Sequence, residues 1–256
     1  MDKGTYVAVS GSLAQERAMD VIAANLANVS TDGFKAGRVL FESYLQKSLD
    51  PNAGIPSPEM IKNGMPASQL PDSAYLVASE GYTDFSQGPL RVTAHPFDIA
   101  LEGDGFIAVN TPEGEMYTRG GSFMMNLKGE LTTKDGHQVL DIRKKPITVG
   151  LIKFNIDDAG ILLDENDEPI AQIKVVDFPD KNVLQKRGGG LYAAPDSVKP
   201  KASTAFVKQG YVESSNINAV TEMTKMITAL RTYEAFQKAI QSHDQMTARL
   251  IADVTR

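Results

Sequence analysis

The chain contains no cysteine and no tryptophan, only three histidines, and no surplus of basic residues: 26 Lys and Arg stand against 32 Asp and Glu, a formal charge of −6 over 256 residues. Without cysteine there can be no disulfide, thiol nucleophile or thiolate metal ligand, so stability must rest on packing. With a pI near 5.2 and no long Lys/Arg run, there is no electrostatic basis for a nucleic-acid or anionic-membrane partner. No stretch approaches the roughly 18 consecutive apolar residues of a membrane span. Met1 to Val9 lacks a basic segment leading into an apolar run and lacks a small-residue cleavage site, which predicts export, if any, without a cleaved signal. The three histidines, His95, His137 and His243, lie far apart and in no metal-ligating or triad pattern; His95 beside Asp98 is the one imaginable pair. What remains is an average globular composition, 42% hydrophobic and 23% charged, with room for one large domain or two smaller ones.

The ends and the middle differ in texture. Val7, Gly11, Ala14, Ala18, Val21, Asn25 and Asn28 recur at spacings of four and three, the seam of a helix that offers small side chains to a close neighbour. The turn formers Asn28, Ser30, Thr31, Asp32 and Gly33 predict its end. Near the other terminus Met226, Ala229, Tyr233, Phe236, Ile240, His243, Thr247, Leu250 and Val254 keep a three-four alternation, and Asn218 is a good N-cap. A helix from Ala219 to about Asp253 would be on the order of 50 Å long, a length that points to a coiled coil or helical assembly. Residues 50–72 carry five prolines and few large apolar residues, which predicts an extended connector. From 73 to 205 short apolar runs alternate with turns: 97–100, 106–109, 123–125, 138–142, 151–154, 161–163 and 170–178, separated by Gly, Asp, Asn and Pro. That spacing predicts hairpins rather than βαβ units.

Several motifs invite chemistry and have a plainer reading. Glu102-Gly103-Asp104-Gly105 and Asp135-Gly136 supply the positive φ of tight turns between strands. Asp164, Asn166 and Glu168 resemble the start of a calcium loop, but Pro169 stands where the bend demands Gly, so no metal is expected. Gly188-Gly189-Gly190 lacks the Lys-Ser/Thr of a phosphate loop and reads as a turn; Asn28-Val29-Ser30 matches a glycosylation sequon by accident. Asn25 and Asn28 are costly on a helix seam unless their amides find partners, and such amides often set register. Two rival classes remain from residues alone: a peptidoglycan-active enzyme, for which Glu102 with Asp104 is the only tempting local carboxylate pair and is better explained as a turn, and a cytosolic β-domain binding module, which leaves the end helices unexplained.

The segment from Asp20 to Lys35, containing Asn25-Leu26-Ala27-Asn28 and Thr31-Asp32-Gly33-Phe34-Lys35, resembles the N-terminal signature of bacterial flagellar rod, hook and hook-associated proteins. Thr83 to Leu90, Pro96 to Phe106 and Tyr117 to Phe123 resemble the family's β region, and Gly210 to Asn218 with the following helix resembles its C-terminal signature. One departure is Ala24, where the family usually carries Asn. Met1 to Tyr6 and Asp84 to Leu90 look more like proximal-rod than distal-rod members, and the length is short for a hook protein. The resemblance implies an α+β fold in four parts: an N-terminal helical domain (1–49), the connector (50–72), a central β domain (73–205) and a C-terminal helical domain (206–256) that packs with the first as a coiled coil. It implies a non-enzymatic axial subunit without cofactor or metal, exported by the flagellar type III apparatus. Its partners would be copies of itself and other rod proteins on the hook or rotor side. Its assembly interface would comprise Val7, Ala14, Ala18, Val21, Asn25, Leu26, Asn28, Met226, Leu230, Tyr233, Phe236, Ile240 and Leu250, residues expected to meet other subunits.

Overall fold

Small residues at three- and four-residue spacing build helix α1 over Lys3–Ala27 in the computed structural model, which describes residues 3–46, 73–150, 154–195 and 197–254. The helix stops at the expected cluster. Thr31 N–H donates to the Asn28 carbonyl at 3.1 Å, and Gly33 takes a φ of +69°. Helix α2 runs over Ala219–Val254, directly after Asn218.

The chain comprises two units: residues 1–26, 37–82 and 219–256 form one, here the helical unit, and residues 27–36 and 83–218 form the other, the β unit. The helical unit is not helical throughout. β1 (Ala36–Gln46) and β2 (Ser73–Asp84) pair as a two-stranded ribbon, so residues 36–46 are extended within the segment expected to be helical. Gly37 is a poor helix former, and Val39 and Phe41 favour a pleated strand. The expected connector, 50–72, lies outside the described residues.

In the β unit the main sheet is antiparallel, in the order β14 (Gln185–Gly188), β15 (Leu191–Ala193), β6 (Gly114–Thr118), β5 (Phe106–Thr111), β9 (Gln138–Val139), β8 (Leu131–Thr133), β7 (Phe123–Met125). β13 (Val175–Asp177) also pairs with β5, and β16 (Lys201–Ala202) with β13. A smaller sheet joins β10 (Asn155–Ile156), β11 (Ile161–Leu163) and β12 (Pro169–Gln172). The run 170–178, expected as one strand, breaks in two because the ladder changes partner. Ile173 N–H donates to the Gly160 carbonyl and Lys174 N–H to that of Leu140. β17 (Phe206–Gln209) pairs with β4 (Ile99–Glu102), and β18 (Tyr211–Glu213) with β3 (Leu90–Val92). Residues 206–213, expected in a helical domain, are therefore strands of the β unit.

β5 lies inside the sheet with both faces covered. Ile107 and Val109 point into one core with Leu131, Val139 and Leu162, while Phe106 and Ala108 point into another with Tyr117, Phe178 and Tyr192. The period-two alternation of a strand thus serves two cores, which explains why 106–109 reads as an unbroken apolar run. Edge-on ring contacts, such as Tyr117 to Phe178 at 4.9 Å, close the second core.

Candidate assembly surfaces

The residues that invited catalysis are otherwise employed. His95 Nδ1 and Asp98 Oδ1 are 3.9 Å apart on an exposed turn. Asp104 accepts a hydrogen bond from Lys181 Nζ at 2.6 Å, which holds its carboxyl below the usual range, the reverse of what a general acid needs. Asp164 Oδ1 accepts the backbone N–H groups of Asn166 (2.8 Å) and Glu168 (2.9 Å), and these bonds lower its pKa: it shapes a turn. Among the described residues no group of three or more His, Asp or Glu could hold a metal ion.

The helical unit is built differently. On α1 the residues Gly11, Ala14, Ala18, Ile22 and Asn25 are buried, so Ile22 takes the place that the spacing assigned to Val21, which is half-buried. Gly11 lies against the ring of Phe236: a Cβ there would come within 2.5 Å of Phe236 Cζ. Thr5 Oγ1 and His243 Nδ1, 3.3 Å apart, meet farther along the same two helices. On α2 Glu222 and Ala229 are buried, and Met226, Tyr233, Phe236 and Ile240 are half-buried. Leu26 and Asn28 are half-buried, Val7 and Leu230 are exposed, and Leu250 lies outside the residues whose side chains are described. Phe236, expected to meet other subunits, is thus covered in part by its own chain.

Asn25 departs from expectation in the same way. Its Oδ1 accepts the Gly37 N–H at 2.8 Å, and its Nδ2 donates to the Gly37 carbonyl at 2.9 Å and to Glu222 Oε2 at 3.2 Å. The amide is satisfied inside one chain and ties α1 to β1 and α2. Glu222 Oε1 also receives Lys225 Nζ at 2.6 Å and Arg38 Nη1 at 3.4 Å. Burial alone would raise the Glu222 carboxyl; the hydrogen bonds from Lys225 and Asn25 and the charges of Lys225 and Arg38 outweigh it and hold the group below the usual carboxylate range. No pattern in the sequence links Glu222 to Asn25 across 197 residues.

Next to this inner seam lies a second stripe that the periodicity did not single out. Val220, Met223, Ile227 and Leu230, at spacings of three, four and three, are between 47% and 73% exposed. Tyr6, Val9 and Leu13 form a similar exposed row on α1. Within the helical unit a groove of about 510 Å³ is lined by Ala18, Ile22, Phe41, Val220, Thr228 and Ala229, among others. Thr224 and Thr228 turn their hydroxyls back to the carbonyls of Val220 and Thr224, which satisfies both hydroxyls within the helix. Large exposed apolar rows of this kind mark surfaces that associate.

End helices that keep apolar rows in water are the marks of a structural subunit of an assembly. Comparison with known proteins agrees. The family descriptions "Flagella basal body rod protein", "Flagellar hook protein FlgE/F/G D1 domain" and "Flagellar basal body rod FlgEFG protein C-terminal" match residues 6–35, 100–183 and 208–253. The chain is 34% identical over 241 residues to the flagellar basal-body rod protein FlgF of Mesorhizobium japonicum, covering 91% of this chain and 90% of that one. It is also 34% identical over 259 residues to the rod protein FlgG of Buchnera aphidicola subsp. Schizaphis graminum, covering 96% and 97%. The rod protein FlgG of Bacillus subtilis is 29% identical over 267 residues, covering 98% of each. The chain belongs to the flagellar basal-body rod family. It is a structural component of the flagellum and not an enzyme.

Proposed function

We propose that the chain is a proximal-rod subunit of the FlgF type that assembles helically and transmits torque from rotor to hook. The exposed row Val220, Met223, Ile227 and Leu230 carries the assembly reading, because a chain that stayed alone would gain by covering it. Heterologous contacts that do not close under rotation generate a helix of subunits, which suits a rod. The helical parts at the two ends, within 1–49 and 206–256, pair as a coiled coil; the approach of Phe236 to Gly11 supports this. The partners are other copies and neighbouring rod proteins, reached by type III export.

The FlgF assignment rests on Met1 to Tyr6 and Asp84 to Leu90. The second reading, a distal-rod subunit of the FlgG type, is favoured by a FlgG relative that is as similar as the FlgF one, each 34% identical to this chain. Location separates the two: with swimming restored by a tagged copy in place of the chromosomal one, the tagged subunit is expected at the rotor-side end of purified basal bodies in electron micrographs. Density at the hook-side end would assign it to the distal rod instead.

A further inference from the structure

Two segments of the β unit, Gly33-Phe34-Lys35 and Glu213-Ser214-Ser215-Asn216, lie far apart in the sequence yet converge on one carboxylate. Glu213 and Lys35 are both fully buried and Arg119 nearly so. Glu213 Oε1 accepts Lys35 Nζ at 2.6 Å and the Gly88 N–H at 2.8 Å; its Oε2 accepts Arg119 Nη1 at 3.1 Å. Its main-chain carbonyl accepts the Gly33 N–H at 2.6 Å. Alongside, Asn216 Oδ1 accepts the Ala36 N–H at 2.9 Å while its Nδ2 donates to the Asp84 carbonyl at 2.8 Å, and Lys35 Nζ also donates to the Ser86 carbonyl at 2.7 Å. The backbones approach so closely that a Cβ on Gly88 would overlap the Ser214 carbonyl oxygen.

Two buried cations share this single anion, and buried charges are tolerated only while their partners are in place. Removal of Glu213 therefore strands two buried cations, and removal of Lys35 takes the cation from Oε1 of a buried carboxylate and leaves Arg119 alone to balance it. We infer that Lys35, Glu213 and Arg119 form a two-ended clasp: neither the segment Gly33–Ala36 nor the segment Glu213–Asn216 holds its place in the β unit without the other. Lys35 and Glu213 are positioning residues for the two segments that precede the points at which the chain leaves that unit. The clasp follows from contacts inside the β unit and does not depend on the rod assignment.

Thermodynamic coupling is reciprocal, and that supplies the test. In the full-length chain, native-state amide exchange is followed for Lys35→Met and Glu213→Gln. Lys35→Met is expected to speed exchange at Gly88 and Ser214 at least tenfold, and Glu213→Gln to do the same at Gly33 and Ala36, while the β5 amides of Ile107 and Val109 stay within about twofold. Acceleration confined to the altered end, equal acceleration across β5, or none would overturn the inference. Should Glu213→Gln fail to fold, Lys35→Met carries the same test from the other end.

Discussion

At Gly11 a side chain has nowhere to go except into the Phe236 ring, yet only the outer end of that ring stands in the way. Gly11→Ala is therefore expected to be nearly neutral, because the ring can tilt and alanine returns about 1 kcal/mol of helix propensity. Gly11→Leu should cost about 1–3 kcal/mol by overpacking, read as a lower midpoint in thermal melts followed by circular dichroism. Asn25→Leu removes the partners of the Gly37 N–H and carbonyl and one bond to Glu222, so a loss of about 1–3 kcal/mol is expected in urea unfolding. Glu222 adds a pH dependence. Its folded pKa lies below the unfolded value near 4.3, so its contribution is complete above that range and is lost as pH falls through the folded value. Helix melts between about pH 5 and pH 2 check this: in Glu222→Gln the decline with acid should be shallower.

Helix α2 carries two stripes with opposite expectations. The inner one, through Ala229 and Phe236, meets α1 of the same chain, so Phe236→Asp should lower monomer stability as well as assembly, by placing a carboxylate against Gly11. The outer one meets water in the single chain, so Ile227→Asp should leave the monomer's melting within about 0.5 kcal/mol of the parent. The same allele should abolish swimming rings and basal-body incorporation, since the charge recurs in every copy; normal swimming would remove the outer stripe from the interface. Both helices were legible from spacing, because 3.6-residue periodicity survives over 25 and 36 residues. Which of α2's apolar rows faces inward was not, because both rows repeat at the same interval and only the position of α1 distinguishes them.

At the scale of the whole molecule the β unit holds the deepest burial, and Ile107→Ala at the centre of β5 should cost about 2–5 kcal/mol in its denaturant unfolding. The antiparallel hairpins were readable from Gly-marked turns, since Gly103, Gly114, Gly129, Gly136 and Gly160 all take positive φ where the sequence places turns. Strand partners were not. β17 and β18 look from sequence like a lead-in to the C-terminal helix, but they pair with β4 and β3 more than a hundred residues earlier. By itself the sequence determined the α+β class, the two end helices, the turn chemistry and, through its signatures, the family. These depend on period, local backbone preference and motif order, all of which act over a few residues. Only the tertiary structure decided that Asn25 is satisfied within its own chain, that Phe236 rests on Gly11, and that Lys35 finds Glu213. Each of those depends on two segments, far apart along the chain, being carried to the same few ångströms by everything folded between them.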